Sequence, residues 1–421
     1  MEKALRTLER YIPKKIYTAL QPSYHYLLAQ VGTLIYRNPS KKIYVIGVTG
    51  TKGKSSTVEF VNAMLEGAGK KTATLSTIRF KVGDVSRPNK YKMTMPGRFF
   101  TQKFLRDAVD AGCEYAIIEM TSEGARFYRH KGVALDALIF TNLSPEHIES
   151  HGSFENYKQA KLRLVKHLAK SKKPARVSIA NTDGKHGYSF LIHTVEKNIS
   201  YSLKEVTILS ETETSSTISY HNETLTIPLP GKFNIANALS ALKLAEALSI
   251  PLSEAKKGIE GLSLIRGRVE KISCGQSFSV IVDYAHTDDS LRKLYETFPS
   301  SRKIAVLGST GGGRDAWKRP VLGKIADDYC DEIIITNEDP YDEDPMKIIS
   351  EVASGVTHHT PQIIINRRDA IRTACELARE GDTVLISGKG TDPYIMGPHG
   401  TKEAWDDATV AREELEKLLQ K

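Results

Sequence analysis

The feature that most constrains this fold is a glycine-rich turn between an apolar run and a helical run. The apolar run is Ile43 to Val48, and the turn continues from Thr49 as Thr-Gly-Thr-Lys-Gly-Lys-Ser. Backbone N–H groups in such a turn surround an anion, and the following helix N-terminus adds partial positive charge. The segment therefore predicts a phosphate-binding loop for ATP, although the general pattern has a glycine where Val48 stands.

The residues of this loop have separate predicted roles. Lys54 is expected to reach the β- and γ-phosphates, and the Ser55 hydroxyl is expected to coordinate Mg²⁺. An incidental Gly-Lys-Ser in an ordinary turn is the alternative interpretation. The residues predicted to bind the nucleotide here are Gly50, Thr51, Lys52, Gly53, Lys54, Ser55 and Ser56.

Apolar runs alternate with helical stretches from residue 42 onward, which predicts an α/β fold with a mostly parallel sheet covered by helices. Polar, alternating segments between residues 200 and 228 predict antiparallel hairpins appended to that sheet. The predicted strands are Ile43–Val48, Thr72–Ile78, Tyr115–Met120 and Leu135–Phe140, and the predicted helices are Ser55–Glu66, Phe99–Asp110 and Asn234–Ala247.

A second α/β cycle follows residue 266 and ends in a charged helix near Thr409–Gln420. This repetition predicts a central ATP-binding domain over residues 41–266 and a Rossmann-like domain over residues 267–421. The strands of the second cycle are predicted at Ser279–Val282, Lys303–Leu307, Glu332–Thr336, Gln362–Ile365 and Thr383–Ile386.

Residues 1–40 predict a short helical segment broken by Pro13 and Pro22. Residues 1–42 hold eight Lys or Arg and two Asp or Glu, and the apolar run Tyr24–Tyr36 is too short to span a bilayer. Two interpretations stay open. The segment is either a helical cap packed on the next domain or a basic, aromatic-rich surface that makes weak contact with a membrane.

Charge and cysteine content narrow the class of protein. The net charge is +9, of which residues 1–42 supply +6, so the other 379 residues carry only +3 and form no basic stripe for nucleic acid. The four cysteines, at 113, 274, 330 and 375, lie far apart, as expected in a reducing compartment. We find no cleavable signal pattern and no transmembrane run. A monomeric cytoplasmic protein that acts on small molecules is the expectation.

The loop resembles that of the Mur ligase superfamily, T-G-T-N-G-K-T/S, and is followed by further similar blocks in the same order over residues 45–410. The sequence is most similar to the UDP-N-acetylmuramoyl-dipeptide ligase (MurE-type) branch. The resemblance implies three domains, the first of them reduced here to about 40 residues. The other matching blocks are Thr94–Pro96, Glu119–Ser122, Asn142–Gly152 with Tyr157 and Lys161, Leu229–Ala238, Gly267–Glu270, Val282–Thr287 and Gly313–Pro320.

The resemblance implies an ATP-dependent amide ligase of peptidoglycan precursor synthesis, with a part in cell wall biogenesis, cell shape and cell division. Such ligases phosphorylate a donor carboxylate, and an amine then attacks the acyl phosphate. Phosphoryl transfer depends on charge neutralisation and positioning. The expected donor is the nucleotide-peptide UDP-N-acetylmuramoyl-L-alanyl-D-glutamate, and the acceptor is a free amino acid.

Four residues are expected to bind Mg²⁺: Ser55, Glu119, His147 and Lys161. Glu119 ends an apolar strand, where α/β sheets present site residues, although a capping carboxylate is the alternative. His147 falls at the family position of a metal ligand, although a lone histidine is more often structural. By resemblance, Lys161 reacts with CO₂ to give a carbamate oxygen ligand, which requires a neutral amine and hence a lowered pKa. An ordinary solvated helix lysine is the alternative.

The resemblance assigns the remaining nucleotide contacts to Asn234, Asn237, Arg268, Asp283 and His286. The asparagines are expected at the adenine, although Asn237 in an apolar helix also suits a helix–helix contact. Arg268 is expected at the transferred phosphate, and Asp283 at the nucleotide. Because these two belong to the second predicted domain, domain closure would complete the site. The expected catalytic set is Lys54, His147, Lys161 and Arg268.

Substrate positions carried over for the nucleotide-peptide are Thr94, Thr121, Ser122 and Arg129, with Phe127 where glutamine is usual. The acceptor pocket departs further. Enzymes that add diaminopimelate carry D-N-P-R, whose arginine pairs with the distal carboxylate, and G-K-G-H-E. Here these motifs read Glu338-Asp-Pro-Tyr341 and Gly388-Lys-Gly-Thr-Asp392.

With that arginine absent, acidic residues favour a distal ammonium over a carboxylate, because an unpaired buried charge is costly. We therefore predict a lysine-like diamino acid as the acceptor, with Arg314 holding its α-carboxylate. The alternative is that Tyr341, Arg367 or Arg368 compensates. The predicted acceptor residues are Arg314, Glu338, Asp339, Tyr341, Gly388 and Asp392.

Three other functions remain in competition with this assignment. A folylpolyglutamate-type ligase shares the expected fold, but the Glu119–Ser122 and Asn142–Gly152 blocks favour the peptidoglycan branch. A non-catalytic ATP-binding scaffold conflicts with the joint presence of five residues: Lys54, Glu119, His147, Lys161 and Arg268. A P-loop transporter or motor would need coupling motifs that we do not find.

Overall fold

A computed structural model describes residues 14–146 and 148–420. The chain divides into two compact units. The N-terminal unit holds the chain up to Ser144, together with Glu155–Ser202 and Ser240–Ala255. The C-terminal unit holds Pro145–Phe154, Leu203–Leu239 and the chain from Lys256 onward.

Helices and strands alternate through most of the described chain. Residues 14–201 contain α1 (Lys14–Ile35), β1 (Tyr44–Thr49), α2 (Lys54–Gly67), β2 (Thr72–Leu75), β3 (Arg79–Val82), β4 (Val85–Pro88), α3 (Arg98–Asp110), β5 (Tyr115–Glu119), α4 (Ser122–Arg126), β6 (Ala137–Phe140), α5 (Ile148–His151), α6 (Phe154–Ala169), β7 (Val177–Asn181), α7 (Tyr188–Leu191) and β8 (Lys197–Tyr201). Residues 207–419 contain β9 (Thr207–Glu211), β10 (Ser216–Tyr220), β11 (Glu223–Ile227), α8 (Lys232–Ala247), α9 (Leu252–Glu260), β12 (Glu270–Ile272), β13 (Ser279–Asp283), α10 (Asp288–Glu296), β14 (Lys303–Leu307), α11 (Lys318–Tyr329), β15 (Glu332–Ile335), α12 (Pro345–Ala353), β16 (Gln362–Ile363), α13 (Arg367–Leu377), β17 (Thr383–Ser387), β18 (Tyr394–Met396), β19 (Lys402–Ala404) and α14 (Asp407–Leu419).

The N-terminal unit is built on an eight-stranded sheet in the order β4-β3-β2-β5-β1-β6-β7-β8. Strands β2, β5, β1, β6, β7 and β8 are parallel, and β3 and β4 form an antiparallel edge. Val48 of β1 pairs in register with Glu119 of β5, so the phosphate loop and this carboxylate leave the same edge of the sheet. The predicted mostly parallel α/β sheet is confirmed.

The core of the N-terminal unit explains the apolar runs of its strands. Strands β2 and β6 are buried along their whole length, as expected when helices cover both faces of a parallel sheet. Helix α2 packs against β1, β2 and β5 through buried residues that include Val58, Val61 and Leu65. This packing fixes the first turn of α2 at the end of β1.

The C-terminal unit contains a six-stranded sheet in the order β12-β13-β17-β14-β15-β16, parallel except for β12. Successive strand residues point to opposite faces. Ile281 and Leu385 join the core beneath α10 and α11, whereas Val282 and Ile386 join the core beneath α13 and α14. The second α/β cycle is therefore covered on both faces, as predicted.

Two expectations about secondary structure are wrong. The hairpin strands β9, β10 and β11 pair only with one another in a separate antiparallel sheet. The large sheet ends at β8 and includes none of them. Helix α1 continues through Pro22, although proline removes one helical N–H donor. Later turns of α1 pack against α3, with Ala29 and Thr33 buried, and this contact supports the helix. Pro13 lies outside the described residues.

The other face of α1 is exposed and apolar. Tyr26, Leu27, Val31, Leu34 and Ile35 keep between 37% and 69% of their surface accessible. One face of α1 therefore packs as a cap on α3. The other face is exposed, and the membrane contact remains a prediction. In the described part of the chain, no helix is both long enough and apolar enough to cross a bilayer.

Candidate active site

The phosphate loop is shaped by glycine and by the segment after β6. Gly50 has a φ of 152°, and a Cβ there would collide with the Thr141 hydroxyl. Thr141 Oγ1 donates to Lys52 O at 2.6 Å, the Lys52 N–H donates to Asn142 Oδ1 at 2.9 Å, and the Thr51 N–H donates to Asn142 O at 2.9 Å. Main-chain atoms and the Thr141 and Asn142 side chains therefore fix the loop and leave no room for a side chain at Gly50.

The end of the loop presents a cation and a hydroxyl at the start of α2. Gly53, with a φ of 77°, is the N-cap residue. Lys54 Nζ donates to Thr51 O at 2.8 Å, and Ser55 Oγ donates to Glu119 Oε2 at 2.9 Å. Ser56 is buried behind them. This arrangement of a glycine turn, a lysine and a hydroxyl fits the phosphates of a nucleoside triphosphate.

Glu119 is buried at the end of β5, with 2% of its surface exposed. Its Oε2 accepts hydrogen bonds from Ser55 Oγ and, at 2.8 Å, from the Thr77 N–H. A carboxylate and a hydroxyl oxygen side by side are the ligands that Mg²⁺ takes in proteins. Among the described residues, no group of three or more His, Cys, Asp and Glu side chains forms a metal site by itself. A magnesium ion here would need further oxygens from phosphate, water or a modified side chain.

Lys161 lies beneath the loop and is 2% exposed. Its Nζ donates to Gly50 O at 2.6 Å and lies 4.7 Å from the centroid of the Tyr157 ring. Tyr157 in turn shares a 2.9 Å hydrogen bond with Thr51 Oγ1. The alternative of a solvated helix lysine is wrong, since this amine is buried. His147, the remaining expected metal ligand, lies outside the described residues.

Thr94, the first of the residues expected to bind the nucleotide-peptide, is linked to Glu119 through Thr77. Thr94 and Thr77 share a hydrogen bond of 2.8 Å between their hydroxyl oxygens, so Thr77 joins the loop of Thr94 to Glu119. Arg129 Nη1 donates to Met95 O at 2.6 Å. Thr77 was missed by sequence reasoning, because nothing in its local pattern shows this contact.

Two of these positions also stabilise helix α4. The Thr121 hydroxyl is the N-cap and accepts the Gly124 N–H at 3.0 Å, and Ser122 is buried in the first turn. A capping hydroxyl satisfies one of the N–H groups that a helix start leaves without a partner. Thr121 therefore has a structural role that the motif did not indicate.

In the C-terminal unit, Arg268 and Asp283 are held close together. Arg268 Nη1 donates to Gly267 O at 2.8 Å, and its guanidinium lies 4.6 Å from the centroid of the Tyr284 ring. Asp283 accepts N–H groups from Val269 and Ala285, both at 2.7 Å. Burial raises the pKa of the Asp283 carboxyl, while the charge of Arg268 opposes that rise.

The other expected nucleotide residues of this unit also have internal partners. His286 Nδ1 lies 2.7 Å from Tyr284 O, and its Nε2 lies 3.3 Å from the Glu146 carboxylate. Asn234 and Asn237 are both buried in α8. Asn234 Nδ2 donates to Pro230 O at 2.8 Å, and Asn237 Nδ2 donates to Asn234 Oδ1 at 3.5 Å.

The acceptor region surrounds a buried carboxylate. Glu338 is 3% exposed, and its Oε1 accepts a 2.6 Å hydrogen bond from Thr310 Oγ1. Its Oε2 has no hydrogen-bond partner in the described chain. Gly388 has a φ of 106°, and a Cβ there would collide with this oxygen. The Arg314 guanidinium lies 6.0 Å from the centroid of the Tyr341 ring.

Lys389, which was not among the predicted site residues, neutralises two of the predicted acceptor acids. It is fully buried, and its Nζ donates to Asp339 Oδ1 at 2.9 Å, to Asp392 Oδ2 at 3.3 Å and to Tyr394 O at 2.6 Å. Asp339 Oδ1 also accepts the Met396 N–H at 2.8 Å. Asp339 and Asp392 therefore already have a cationic partner, whereas Glu338 has one carboxylate oxygen without a hydrogen-bond partner in the described chain.

The two arginines considered as replacements for the missing D-N-P-R cation already bind carboxylates. Arg367 forms a fully buried pair with Asp407 at 2.8 Å. Arg368 donates to Glu413 at 2.6 Å and to Glu414 at 2.8 Å. Neither guanidinium presents an unmatched charge, which weakens the alternative that one of them holds a distal carboxylate.

Two known domain families match this chain, one for each of its two α/β cycles. The Mur ligase middle domain matches residues 48–245, and the Mur ligase glutamate ligase domain matches residues 267–390. A UDP-N-acetylmuramyl-tripeptide synthetase of Roseiflexus sp. (strain RS-1) is 36% identical over 94% of this chain and 83% of its own length. The chain belongs to the Mur ligase family. As a Mur ligase, it is an ATP-dependent enzyme that joins an acid to an amino acid.

Further relatives and solved structures agree with this Mur ligase assignment. A UDP-N-acetylmuramoyl-L-alanyl-D-glutamate–2,6-diaminopimelate ligase of Clostridium botulinum (strain ATCC 19397 / Type A) is 35% identical over 87% of this chain and 77% of its own length. A solved ligase of the same name superposes with a TM-score of 0.60, with 27% identity, over 90% of this chain and 79% of that one. Folylpolyglutamate synthase of Mycobacterium tuberculosis shares the fold, with a TM-score of 0.69 and 16% identity over 87% and 93% of the two chains.

Proposed function

We propose that this Mur ligase adds a lysine-like diamino acid to UDP-N-acetylmuramoyl-L-alanyl-D-glutamate. The donor is supported by relatives at 35% identity whose names include this nucleotide-peptide. Those relatives are named for 2,6-diaminopimelate, so the acceptor that we propose differs from theirs. The observation that carries the acceptor proposal is the buried Glu338 with one oxygen that lacks a hydrogen-bond partner.

The N-terminal unit is proposed to activate the donor. Gly50–Ser56 would hold the triphosphate, and Ser55 and Glu119 would bind Mg²⁺ because both oxygens lie at the loop. When bound, ATP supplies the phosphoryl group that turns the donor carboxylate into an acyl phosphate. Lys54 would neutralise charge on the phosphates. Arg268 is proposed for the same role on the strength of the family motif alone.

Lys161 is proposed to carry a carbamate. Its burial and its contact with Gly50 O place the amine beside the phosphate loop, where a free ammonium would oppose a divalent cation. Addition of CO₂ to the neutral amine forms the N–C bond, releases one proton and leaves an anionic oxygen ligand. His147 is proposed as a further metal ligand on the strength of the family motif alone.

The acceptor is proposed to be oriented by its two ends. Arg314 would form charge-assisted hydrogen bonds with the α-carboxylate. Glu338 Oε2 would accept a hydrogen bond from the distal ammonium. A distal carboxylate would instead meet an acid, and a buried unpaired charge costs more than about 1–3 kcal/mol.

The proposal is tested by incubating the purified protein with the nucleotide-peptide, ATP and one acceptor at a time. L-lysine, L-ornithine, meso-diaminopimelate and L-glutamate are compared by phosphate release and product mass, with Lys54→Ala as background. We expect release that requires both substrates and a preference for lysine or ornithine of roughly tenfold or more. Preference for diaminopimelate would overturn the acceptor assignment, and glutamate addition to the same donor would point to a polyglutamate-type ligase.

A second arm of this experiment uses Glu338→Gln, which keeps the shape but removes the charge. We expect the KM for lysine to rise roughly tenfold while the KM for ATP stays within a factor of two. Glu416→Gln, at an exposed position on α14, is the matched charge control. An unchanged lysine KM in Glu338→Gln would remove the basis of the acceptor proposal.

We further propose that the enzyme is a cytoplasmic monomer that contacts an anionic membrane weakly through α1. The support is the exposed apolar face of α1 and the basic surplus of residues 1–42. Co-sedimentation with phosphatidylglycerol vesicles, compared with phosphatidylcholine vesicles, tests the contact. Leu27→Ser with Leu34→Ser should abolish any binding, and binding that survives this double substitution would refute it.

A further inference from the structure

Two arginines, one at the start of a helix and one in a turn, both contact Phe127. Arg98 is the first residue of α3, and its Nη2 donates to Phe127 O. Arg129 lies just after α4, with its guanidinium 5.9 Å from the centroid of the Phe127 ring. Both side chains are therefore anchored around Phe127, the position at which the family motif usually has glutamine.

Within the described residues, the carboxylate that acts on this pair is Glu123, whose charge opposes the lowering of the Arg129 pKa without cancelling it. Neither Arg98 nor Arg129 forms an ion pair with a described carboxylate, and Arg98 Nε is buried without a hydrogen-bond partner. Burial, with a smaller effect of Arg129, lowers the pKa of Arg98 to about 10, and burial also lowers the pKa of Arg129. Both groups stay cationic at neutral pH. Two partly buried like charges are expensive to hold together unless an anion joins them.

A short series of contacts connects this pair to the proposed metal site. Glu119 accepts the Thr77 N–H, Thr77 shares a hydroxyl hydrogen bond with Thr94, and the next residue, Met95, accepts a hydrogen bond from Arg129. If the reacting carboxylate of the donor binds at the metal site beside Glu119, the rest of the donor could therefore lie along Thr94 and Met95 and reach the two arginines.

We propose that Arg98 and Arg129 form one binding site for an oxyanion of the donor, with Arg98 as a specificity residue outside the family motifs. This inference rests on the proposed function, since it names a contact of the same donor. A guanidinium presents a planar fork of N–H groups that matches carboxylate and phosphate oxygens. The donor carries such oxyanions in two places: its non-reacting carboxylate and the diphosphate of its UDP group.

Calorimetry of donor binding, in the presence of ADP and Mg²⁺, tests the site. We compare the wild type with Arg98→Gln, which can still donate to Phe127 O, and with Arg98→Lys, which keeps the charge but loses the fork. Arg106→Gln is the control, because Arg106 lies on the same helix and pairs with Asp110. We expect Arg98→Gln to weaken donor binding roughly tenfold to hundredfold, Arg98→Lys to restore part of it, and Arg106→Gln to have no effect.

Two altered donors identify the anion. One carries an amide in place of the non-reacting carboxylate, and the other lacks the uridine diphosphate. The effect of Arg98→Gln should vanish with the donor that lacks the group it binds and persist with the other. An effect that persists with both altered donors would overturn the site.

The results separate this inference from the function on which it depends. If the wild type does not bind the nucleotide-peptide at all, the proposed function and the site both fail. If the wild type binds it and Arg98→Gln binds it equally well, the oxyanion site alone is wrong. A loss of ADP affinity or a large drop in Tm in Arg98→Gln would show a structural role and would also refute the site.

Discussion

The phosphate loop and the acceptor region differ in what holds them. Around Gly50, the loop is held by main-chain atoms and by the hydroxyl and amide of Thr141 and Asn142. Around Glu338, the region depends on side-chain charges, with Lys389 paired to Asp339 and Asp392. The loop also matches the family pattern, whereas the acceptor motifs are altered.

This difference indicates how a ligase can keep its chemistry while its substrate changes. Phosphoryl transfer needs the same arrangement of N–H groups, cation and metal ligands whatever amine attacks. Recognition of the amine needs only that one or two charges be matched, and a single change, such as the proposed loss of an arginine at the position of Tyr341, would alter that match. Substitutions in the first region should therefore stop the reaction, and those in the second should redirect it.

Replacing Lys161 should have the largest effect. Lys161→Ala removes the proposed carbamate oxygen, and we expect kcat/KM to fall by roughly two orders of magnitude or more, since a metal ligand supplies several kcal/mol of charge stabilisation. Added acetate or propionate should restore part of the activity by filling the cavity with a carboxylate. Steady-state phosphate release at several carboxylate concentrations measures both effects.

The matched control is Lys158→Ala, one turn earlier on α6, where the lysine faces Glu155 at the surface. Lys161→Arg keeps a positive charge but cannot form the carbamate, so we expect it to be inactive and not rescued. Full activity of Lys161→Ala without added carboxylate would contradict the role of this lysine.

Two glycine-to-alanine substitutions, one in each region, should show that nucleotide binding and acceptor binding depend on different residues. Gly50→Ala meets the Thr141 hydroxyl and backbone atoms of Asn142, so we expect ADP affinity to fall at least roughly tenfold. Gly388→Ala meets the end of the Glu338 side chain, so ADP affinity should stay within a factor of two while the acceptor KM rises. Calorimetry with ADP and acceptor titrations measure the pair.

Gly184→Ala is the control for both substitutions, because a Cβ there meets no atom within 4 Å. It should leave both constants unchanged. Equal loss of ADP affinity in Gly50→Ala and Gly388→Ala would contradict the separation of the two regions.

The smallest expected effect concerns stability in acid. In the N-terminal unit, His130 and His167 lie edge to face with centroids 4.9 Å apart, and burial lowers the pKa of His167 to about 4 and that of His130 well below its usual value. The unfolded state therefore binds more protons below pH 6.5, and the free energy of unfolding should fall between pH 6.5 and 4 by up to about 1.4 kcal/mol per pH unit for each histidine.

Urea unfolding at pH 7 and pH 5 measures this dependence. His167→Gln should flatten it. His358→Gln should not, because His358 is an exposed residue of the C-terminal unit whose Nδ1 lies 3.1 Å from Asp327. The same pH dependence in wild type and His167→Gln would show that this buried pair does not control the acid response.

The parts of the site that could be predicted from the sequence are those set by local geometry and by parallel register. The turn at Gly50–Ser55 needs glycine, and Glu119 ends the strand that pairs with β1, so both could be placed without coordinates. The contacts of Thr77, Lys389 and Arg98 could not, because each partner is distant in sequence and no spacing rule links them. The antiparallel pairing of β9–β11 was predicted, but their separation from the large sheet was not, because a local pattern does not show which sheet a hairpin joins.

The proposed mechanism requires that divalent cations bind to oxygens beside the phosphate loop. Anomalous diffraction from crystals grown with ADP, Mn²⁺ and the nucleotide-peptide tests it directly. We predict a Mn²⁺ peak bound by Ser55 Oγ and the Glu119 carboxylate, with electron density for a carbamate beyond Lys161 Nζ. A Mn²⁺ peak elsewhere, with Ser55 still hydrogen-bonded to Glu119, would contradict this account.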